Sequence, residues 1–208
     1  MLMMSDSVSS AIRQSGGAST SLEQTQEDTW ISSSQRGDAL SFNRLVLKWE
    51  KTVYNVALRM LQDRDDAAEA TQEVFILAFK NIRRFRRNAR FSTWLYRIAI
   101  NRCVTRANQR PQGLHLSIDE NGTALASIEQ LTIAESQAVE LLRSEQRHRV
   151  LNALSLLQAE QQAVIELKFF QELTFGEIAE ILNIPLSTIK SRLYSGLEIL
   201  KSRLGDRD

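Results

Sequence analysis

Residues 173–200 read LTFGEIAEILNIPLSTIKSRLYSGLEIL, and this stretch decides the fold. Thr174 and Glu177 stand at the T-x-x-E spacing of a capping box, in which two side chains satisfy two orphan backbone N–H groups at a helix start. Asn183 and Ile184 make a tight turn, and Pro185 suits the first turn of the next helix, where its missing N–H costs nothing. That helix runs to about Leu204. Its Ile189, Leu193, Leu197 and Leu200 share one apolar face, and Ser187, Thr188, Lys190, Ser191, Tyr194 and Ser195 lie on the other. Helix, short turn and helix, with small Ala179 at the crossing, make a helix-turn-helix. The second helix of that motif enters the major groove of DNA, and its N-terminus also favours phosphate. The motif favours duplex DNA as what the polar face touches; the bland alternative is a bundle helix with a solvated face.

The rest of the chain extends the helical reading. Its 208 residues allow one large domain or two small ones. Helix formers dominate, and the only prolines are Pro111 and Pro185. The expectation is an all-α protein: two small helical domains joined by a flexible acidic linker, with Pro111 near the joint. A short helix covers about 24–35. Asp38 caps a helix from Ala39 to about Leu61, whose Leu40, Leu45, Val46, Trp49, Val53, Val56, Ala57 and Met60 keep helical spacing. The segment QDRDD is a turn and a new cap. The helix after it runs from about Asp66 to Ile82, with Val74, Phe75, Leu77, Ala78 and Phe79 apolar. RRFRRNAR, residues 83–90, is a cationic loop, and Ser92 is placed to cap a helix ending near Asn108. Helices resume over about 138–157 and 159–171. The expected division is a disordered segment over 1–24, a helical bundle over 25–110, a linker over 111–137 and a helix-turn-helix bundle over 138–208.

Charge is neutral in sum and segregated in sequence. The formal net charge is +1. Yet residues 81–110 hold Arg83, Arg84, Arg86, Arg87, Arg90, Arg97, Arg102, Arg106 and Arg110 with no acid, and residues 111–142 hold Asp119, Glu120, Glu129, Glu135 and Glu140 with no base. Phe85, Phe91, Trp94 and Tyr96 are interleaved with the arginines. Cations for phosphates and rings for bases suit nucleic acid. Screening makes local charge decisive beyond about 10 Å, so the small net charge does not oppose this.

Other chemistry is poorly provided for. Cys103 is the only cysteine, which excludes an intrachain disulfide and fits a reducing cytosol. His115 and His148 are the only histidines and stand far apart, so no transition-metal site is expected. No phosphate-binding glycine loop or nucleophile–base pair occurs, so neither an enzyme nor a cofactor is expected. No run approaches the roughly 20 apolar residues of a membrane helix, and the start lacks a signal-peptide pattern; a cytoplasmic protein without membrane insertion is expected.

Two separated stretches together carry a resemblance. Residues 63–102, DRDDAAEATQEVFILAFKNIRRFRRNARFSTWLYRIAINR, resemble region 2 of bacterial sigma factors of the extracytoplasmic-function type. Residues 173–200 resemble that family's region 4.2. The resemblance implies an alternative sigma factor that binds core RNA polymerase, at the beta-prime clamp and beta flap, and directs it to promoter DNA. It places Asp66, Glu69, Gln72 and Glu73 on the clamp-docking face, with Ala68 and Glu69 departing from the usual Glu and Asp. It places Asn88, Arg90, Phe91, Arg97 and Asn101 at the unpaired −10 strand, with Phe85 and Phe91 left open between stacking on bases and shaping the loop. Trp94 reads as core. In the last helix Ser187, Thr188, Lys190, Ser191, Arg192 and Tyr194 would meet the −35 element. Thr105, Ser195 and Gly196 depart from the family's Asp, Arg and Ala. The acidic linker would thread toward the path of nascent RNA, and an anti-sigma factor is an implied partner. Two other readings stay open: a stand-alone helix-turn-helix regulator, which leaves the arginine block unexplained, and an adaptor without promoter preference.

Overall fold

A computed structural model describes residues 24–87, 89–109 and 149–204. Among these the chain is helices and turns, with no strand, as expected of an all-α protein. The helices are α1 (24–35), α2 (Ala39–Leu61), α3 (Arg64–Asn81), α4 (Phe91–Gln109), α5 (149–154), α6 (Ala159–Ile165), α7 (Phe175–Leu182) and α8 (Leu186–Leu204). The expected terminal segment, acidic linker and first part of the 138–157 helix lie outside the described residues.

Local chemistry sets most helix ends. Gly37 takes φ 102°, a backbone conformation that L side chains rarely adopt. Asp38 then caps α2: its carboxylate accepts from the Leu40 N–H at 3.0 Å and the Ser41 hydroxyl at 2.6 Å. The Ser41 hydrogen bond is the main reason its carboxyl lies below the usual range. α3 starts at Arg64, earlier than expected, because Asp63 of the QDRDD segment is the cap; its Oδ1 accepts from the Asp66 N–H at 2.8 Å. Ser92 is not a cap. α4 already includes Phe91, and the Arg90 carbonyl accepts from the Trp94 N–H at 3.2 Å. The helix expected over 159–171 stays α-helical only to Ile165. Glu166–Phe170 then widens into a π-helical turn closed by the Gln171 N–H donating to the Glu166 carbonyl at 3.1 Å.

Two compact units are present. The first takes the described part of Met1–Glu50 together with Phe79–Phe85. In it Glu27 accepts from Lys48 Nζ and Trp49 Nε1, each at 2.7 Å, and Gln35 Nε2 donates to the Ile82 and Phe85 carbonyls. Phe42 and Phe79 meet edge to face with centroids 5.0 Å apart. Leu40 and Phe79, apolar residues of the two predicted helices, are exposed.

The second unit takes Lys51–Ala78 and the described part of Arg86–Asp208. Val53, Val56, Val74, Leu95, Ile100, Cys103, Leu167, Ile178 and Ile189 are fully buried in it. α4 packs against both α6 and α7, and α8 packs against both α6 and α7. Leu77, one of the apolar residues of the predicted helix, is exposed. Burial pushes the Cys103 thiol up to about 12, with the Glu166 carboxylate adding to the effect. The thiolate is the reactive form. Cys103 is therefore expected to resist an aromatic disulfide reagent at neutral pH and to react fully only in denaturant; rapid reaction of the folded protein would contradict this packing.

Candidate nucleic-acid interface and docking face

The helix-turn-helix forms as its sequence directs. The Thr174 N–H donates to Glu177 Oε2 at 2.9 Å, and the Glu177 N–H donates to Thr174 Oγ1 at 3.3 Å, completing the capping box. The Thr174 N–H is also the main reason the Glu177 carboxyl sits below its ordinary range. α7 ends at Asn183, which takes the left-handed conformation with φ 53° and ψ 46°. The Thr188 and Ile189 N–H groups donate to the Pro185 carbonyl, starting α8. Buried Ile178, Ile181, Ile189 and Leu193 hold the two helices together. Leu197 and Leu200 are only half-buried.

This seating leaves the polar face of α8 outward. Ser187, Lys190 and Ser191 are exposed, Thr188 and Arg192 are half-buried, and Tyr194 is 64% exposed. Ser195 differs from expectation. It faces α6, where its hydroxyl accepts from Gln161 Nε2 at 2.8 Å. Gly196 is buried, and a Cβ there would stand 3.0 Å from Ile165 Cδ1. The glycine that costs α8 helix propensity thus lets it approach α6 closely.

The acids read as a docking face are tied to the arginine block. Arg106 donates to Asp66 at 3.2 Å, Glu69 at 2.9 Å and Glu73 at 3.2 Å. Arg102 grips Glu73 as a two-pronged pair, one contact being 2.6 Å and the other running from Nε to Oε2. The Arg102 contact is the main reason the Glu73 carboxyl lies below its ordinary range. Thr105 bonds only its own helix, its hydroxyl donating to the Asn101 carbonyl at 2.8 Å. The acids missing from the block are supplied across space by α3. Gln72 is exposed.

The residues read as −10 contacts are placed unevenly. Asn88 lies outside the described residues. Arg90 and Asn101 are exposed, whereas Phe85 and Phe91 are buried at 7% and 6% exposure. The Phe91 ring lies 5.5 Å from that of Trp94, which is half-buried rather than core. Arg97 is exposed, yet its guanidinium donates to the backbone carbonyls of Ile181, at 3.3 Å, and of Glu180.

A cluster that the sequence does not advertise sits behind these residues. Arg59 of α2 donates through Nε and Nη2 to both carboxylate oxygens of Glu166, at 2.7 and 2.6 Å. The Glu166 side chain is 2% exposed and that of Arg59 16%. Gln171 Nε2 donates to Glu166 at 3.0 Å, and the Tyr96 hydroxyl donates to Gln171 Oε1 at 2.6 Å. The Phe170 ring covers Arg59, 4.5 Å from its guanidinium carbon. Burial, with Glu166 adding to it, pushes the Tyr96 phenol up to about 12. Partners 107 residues apart leave no local pattern to read.

A helix-turn-helix with an outward polar helix, beside a helix rich in arginine, defines an all-helical protein of the nucleic-acid-binding class. Comparison with known proteins makes this particular. The profile of Sigma-70 region 2 matches residues 45–110, and that of Sigma-70, region 4, matches residues 147–200. The chain is 33% identical over 174 residues to the ECF RNA polymerase sigma factor SigW of Bacillus subtilis, covering 83% of this chain and 93% of that one. It is 30% identical over 191 residues to the RNA polymerase sigma-H factor of Pseudomonas aeruginosa, covering 88% of this chain and 96% of the other. Among solved structures, CnrH in complex with the cytosolic domain of CnrY matches with a TM-score of 0.62 at 17% identity, covering 88% of this chain and 99% of CnrH. RpoE from Bartonella quintana, in complex with the anti-sigma factor NepR, matches with a TM-score of 0.57 at 22% identity, covering 80% of this chain and 98% of that one. The chain belongs to the sigma-70 family, in its extracytoplasmic-function branch, and is an alternative sigma factor for transcription initiation. Both regions on one chain leave the stand-alone regulator without support. Among the described residues no helix is long and apolar enough to cross a membrane.

Proposed function

We propose that the chain docks on core RNA polymerase through Asp66, Glu69, Gln72 and Glu73, and brings the enzyme to promoters through two separate DNA-reading surfaces. The division proposed is region 2 over 25–110, a linker over 111–137 and region 4 over 138–208, acting in the cytoplasm with no cofactor. Ser187, Thr188, Lys190, Ser191, Arg192 and Tyr194 of α8 read the −35 element as duplex. Lys190 donates to a guanine edge or a phosphate, and Tyr194 packs on a sugar or a thymine methyl. Arg90, Arg97 and Asn101, with Asn88, hold the separated −10 strand, because cations beside a base pocket prefer the single-stranded form. Phe91, being buried, shapes the loop rather than stacking on a base. An anti-sigma factor is the proposed regulatory partner.

The observation that carries this reading is the seating of α8. Its apolar face is locked by Ile189 and Leu193, while Lys190 and Tyr194 are left exposed on the opposite side. Purified protein mixed with core polymerase and a library of random promoters should yield transcripts whose upstream sequences share a spaced −35/−10 pair. Lys190→Ala should relax preference at the −35 element only, and Asn101→Ala at the −10 element only. A folded protein that produces no dependent initiation with active core would refute the proposal.

A further inference from the structure

α1 and the turn after it precede the residues matched as region 2, yet they grip the chain just ahead of the cationic loop. Gln35, the last residue of α1, donates through Nε2 to the Ile82 carbonyl at 3.2 Å and to the Phe85 carbonyl at 2.8 Å. Those carbonyls stand at the two ends of the 3-10 turn Ile82–Arg84, which the Phe85 N–H closes by donating to the Ile82 carbonyl at 3.1 Å. One amide therefore staples the turn at both ends. Phe85 then leaves in an extended conformation, with φ −62° and ψ 113°, and Arg86 and Arg87 follow it directly.

Gln35 stands on a fixed post. Ile31 of α1 is buried, and Glu27 ties the same helix to Lys48 and Trp49 of α2. The end of α1 is closed by the Gly37 N–H, donating to the Ser34 carbonyl at 3.0 Å, and by the Asp38 N–H, donating to the Ser33 carbonyl at 3.1 Å. Gly37 does more than turn the chain. A Cβ there would stand 3.2 Å from Arg83 Nη2, so the bare glycine gives the Arg83 side chain its seat. Ile82 and Phe85, which receive the amide, are buried. Arg83, Arg84, Arg86 and Arg87 are exposed around them. The amide and the glycine thus hold the backbone and one side chain of the segment that leads to Arg90. Ordering such a segment beforehand removes part of the entropy cost of binding a flexible strand.

We propose that Gln35 and Gly37 are positioning residues for capture of the −10 strand: the α1–α2 turn braces the base of the arginine-bearing segment 83–87, and the brace sets how tightly and how selectively the separated strand is held. The inference rests on the proposed assignment of this loop to the −10 strand, whereas the brace itself can be measured without DNA.

Limited trypsin digestion of the full chain, followed by mass spectrometry, reads the brace, because trypsin cuts after the exposed Arg83, Arg84, Arg86 and Arg87. Gln35→Glu keeps the shape of the side chain, removes the donor and sets a carboxylate against two carbonyls. It should raise cleavage after these arginines about fivefold, the effect of one net hydrogen bond on local opening. Cleavage after the exposed Lys201 and Arg203 of α8 should stay unchanged. In holoenzyme assembled with core polymerase, the same variant should weaken binding of a single-stranded oligonucleotide carrying the −10 strand of a library promoter, again by about fivefold. It should relax preference at the −10 element only. Gly37→Ala should act in the same direction by pushing Arg83 aside. Cleavage that rises equally at all sites would make Gln35 a general stabiliser and overturn the proposal. Unchanged cleavage would also overturn it, as would raised cleavage with unaltered strand binding. If Gln35→Glu does not fold, Gln35→Asn, one methylene too short to reach both carbonyls, decides by the same readings. Wild-type holoenzyme that binds no −10 strand refutes the proposed function, and the brace then stands or falls on local cleavage alone.

Discussion

Ile189→Ala is expected to lower the free energy of unfolding by about 3 kcal/mol, within the range for truncating a fully buried aliphatic side chain and leaving a cavity. Ile189 is 0% exposed and starts the apolar face by which α8 seats on α7 and α6. The adjacent Lys190 is exposed. Lys190→Ala should therefore shift stability by no more than about 0.5 kcal/mol. Urea unfolding followed by far-ultraviolet circular dichroism measures both. A loss below about 1 kcal/mol at Ile189 would mean that α8 is not held by this contact. The contrast between neighbours is the useful result. It separates seating the reading helix from reading with it, so lost promoter selectivity in Lys190→Ala could not be blamed on unfolding.

Arg106→Ala is expected to cost about 2 kcal/mol, below the 3–5 kcal/mol for breaking a fully buried ion pair because water screens part of this cluster. The Arg106 side chain is 16% exposed and meets Asp66, Glu69 and Glu73, whose side chains are 33%, 67% and 34% exposed. Without it, three carboxylates crowd one helix face with Arg102 holding only Glu73. A cycle combining Arg106→Ala with Glu73→Gln should show coupling, since removing the acid also removes part of the repulsion. The pH dependence has a definite sign. The folded carboxyl of Glu73 lies below the ordinary value of 4.5, chiefly through Arg102. Its contribution is complete above that value and is lost as pH falls through the lowered folded one. Glu73→Gln should accordingly flatten the acid limb of the stability curve and leave its alkaline side unchanged. Equal acid sensitivity in the two proteins would show that the pair does not form in solution.

Much of the architecture was legible residue by residue. Asp38, Thr174 with Glu177, and Pro185 announce helix starts through hydrogen bonds that span only a few residues. α2 over Ala39–Leu61 and α8 to Leu204 therefore fall where their caps and apolar spacing put them. The ends that moved have equally local causes. Asp63 caps α3 ahead of Asp66, and Arg90 begins α4 before Ser92 can. Leu40, Leu77 and Phe79 satisfy the helical pattern yet lie exposed, because spacing says which side a residue takes but not whether anything covers that side. Ser195 and Gly196 have the same explanation: only the approach of α6 turns a family departure into a close contact.

By itself the sequence determined an all-helical chain, a helix-turn-helix, a segregated arginine block and the two regions of a sigma factor. Those properties depend on neighbours within one helix or one turn. Tertiary structure decided which charges meet. It set Arg102 and Arg106 against the α3 acids, buried Glu166 against Arg59, and turned Arg97 onto the end of α7. Partners 29 to 107 residues apart are brought together only by the packing of helices distant in sequence and the widened turn at Glu166–Phe170. A charge in a sequence gives a sign, while burial and the nearest opposite charge give it a role.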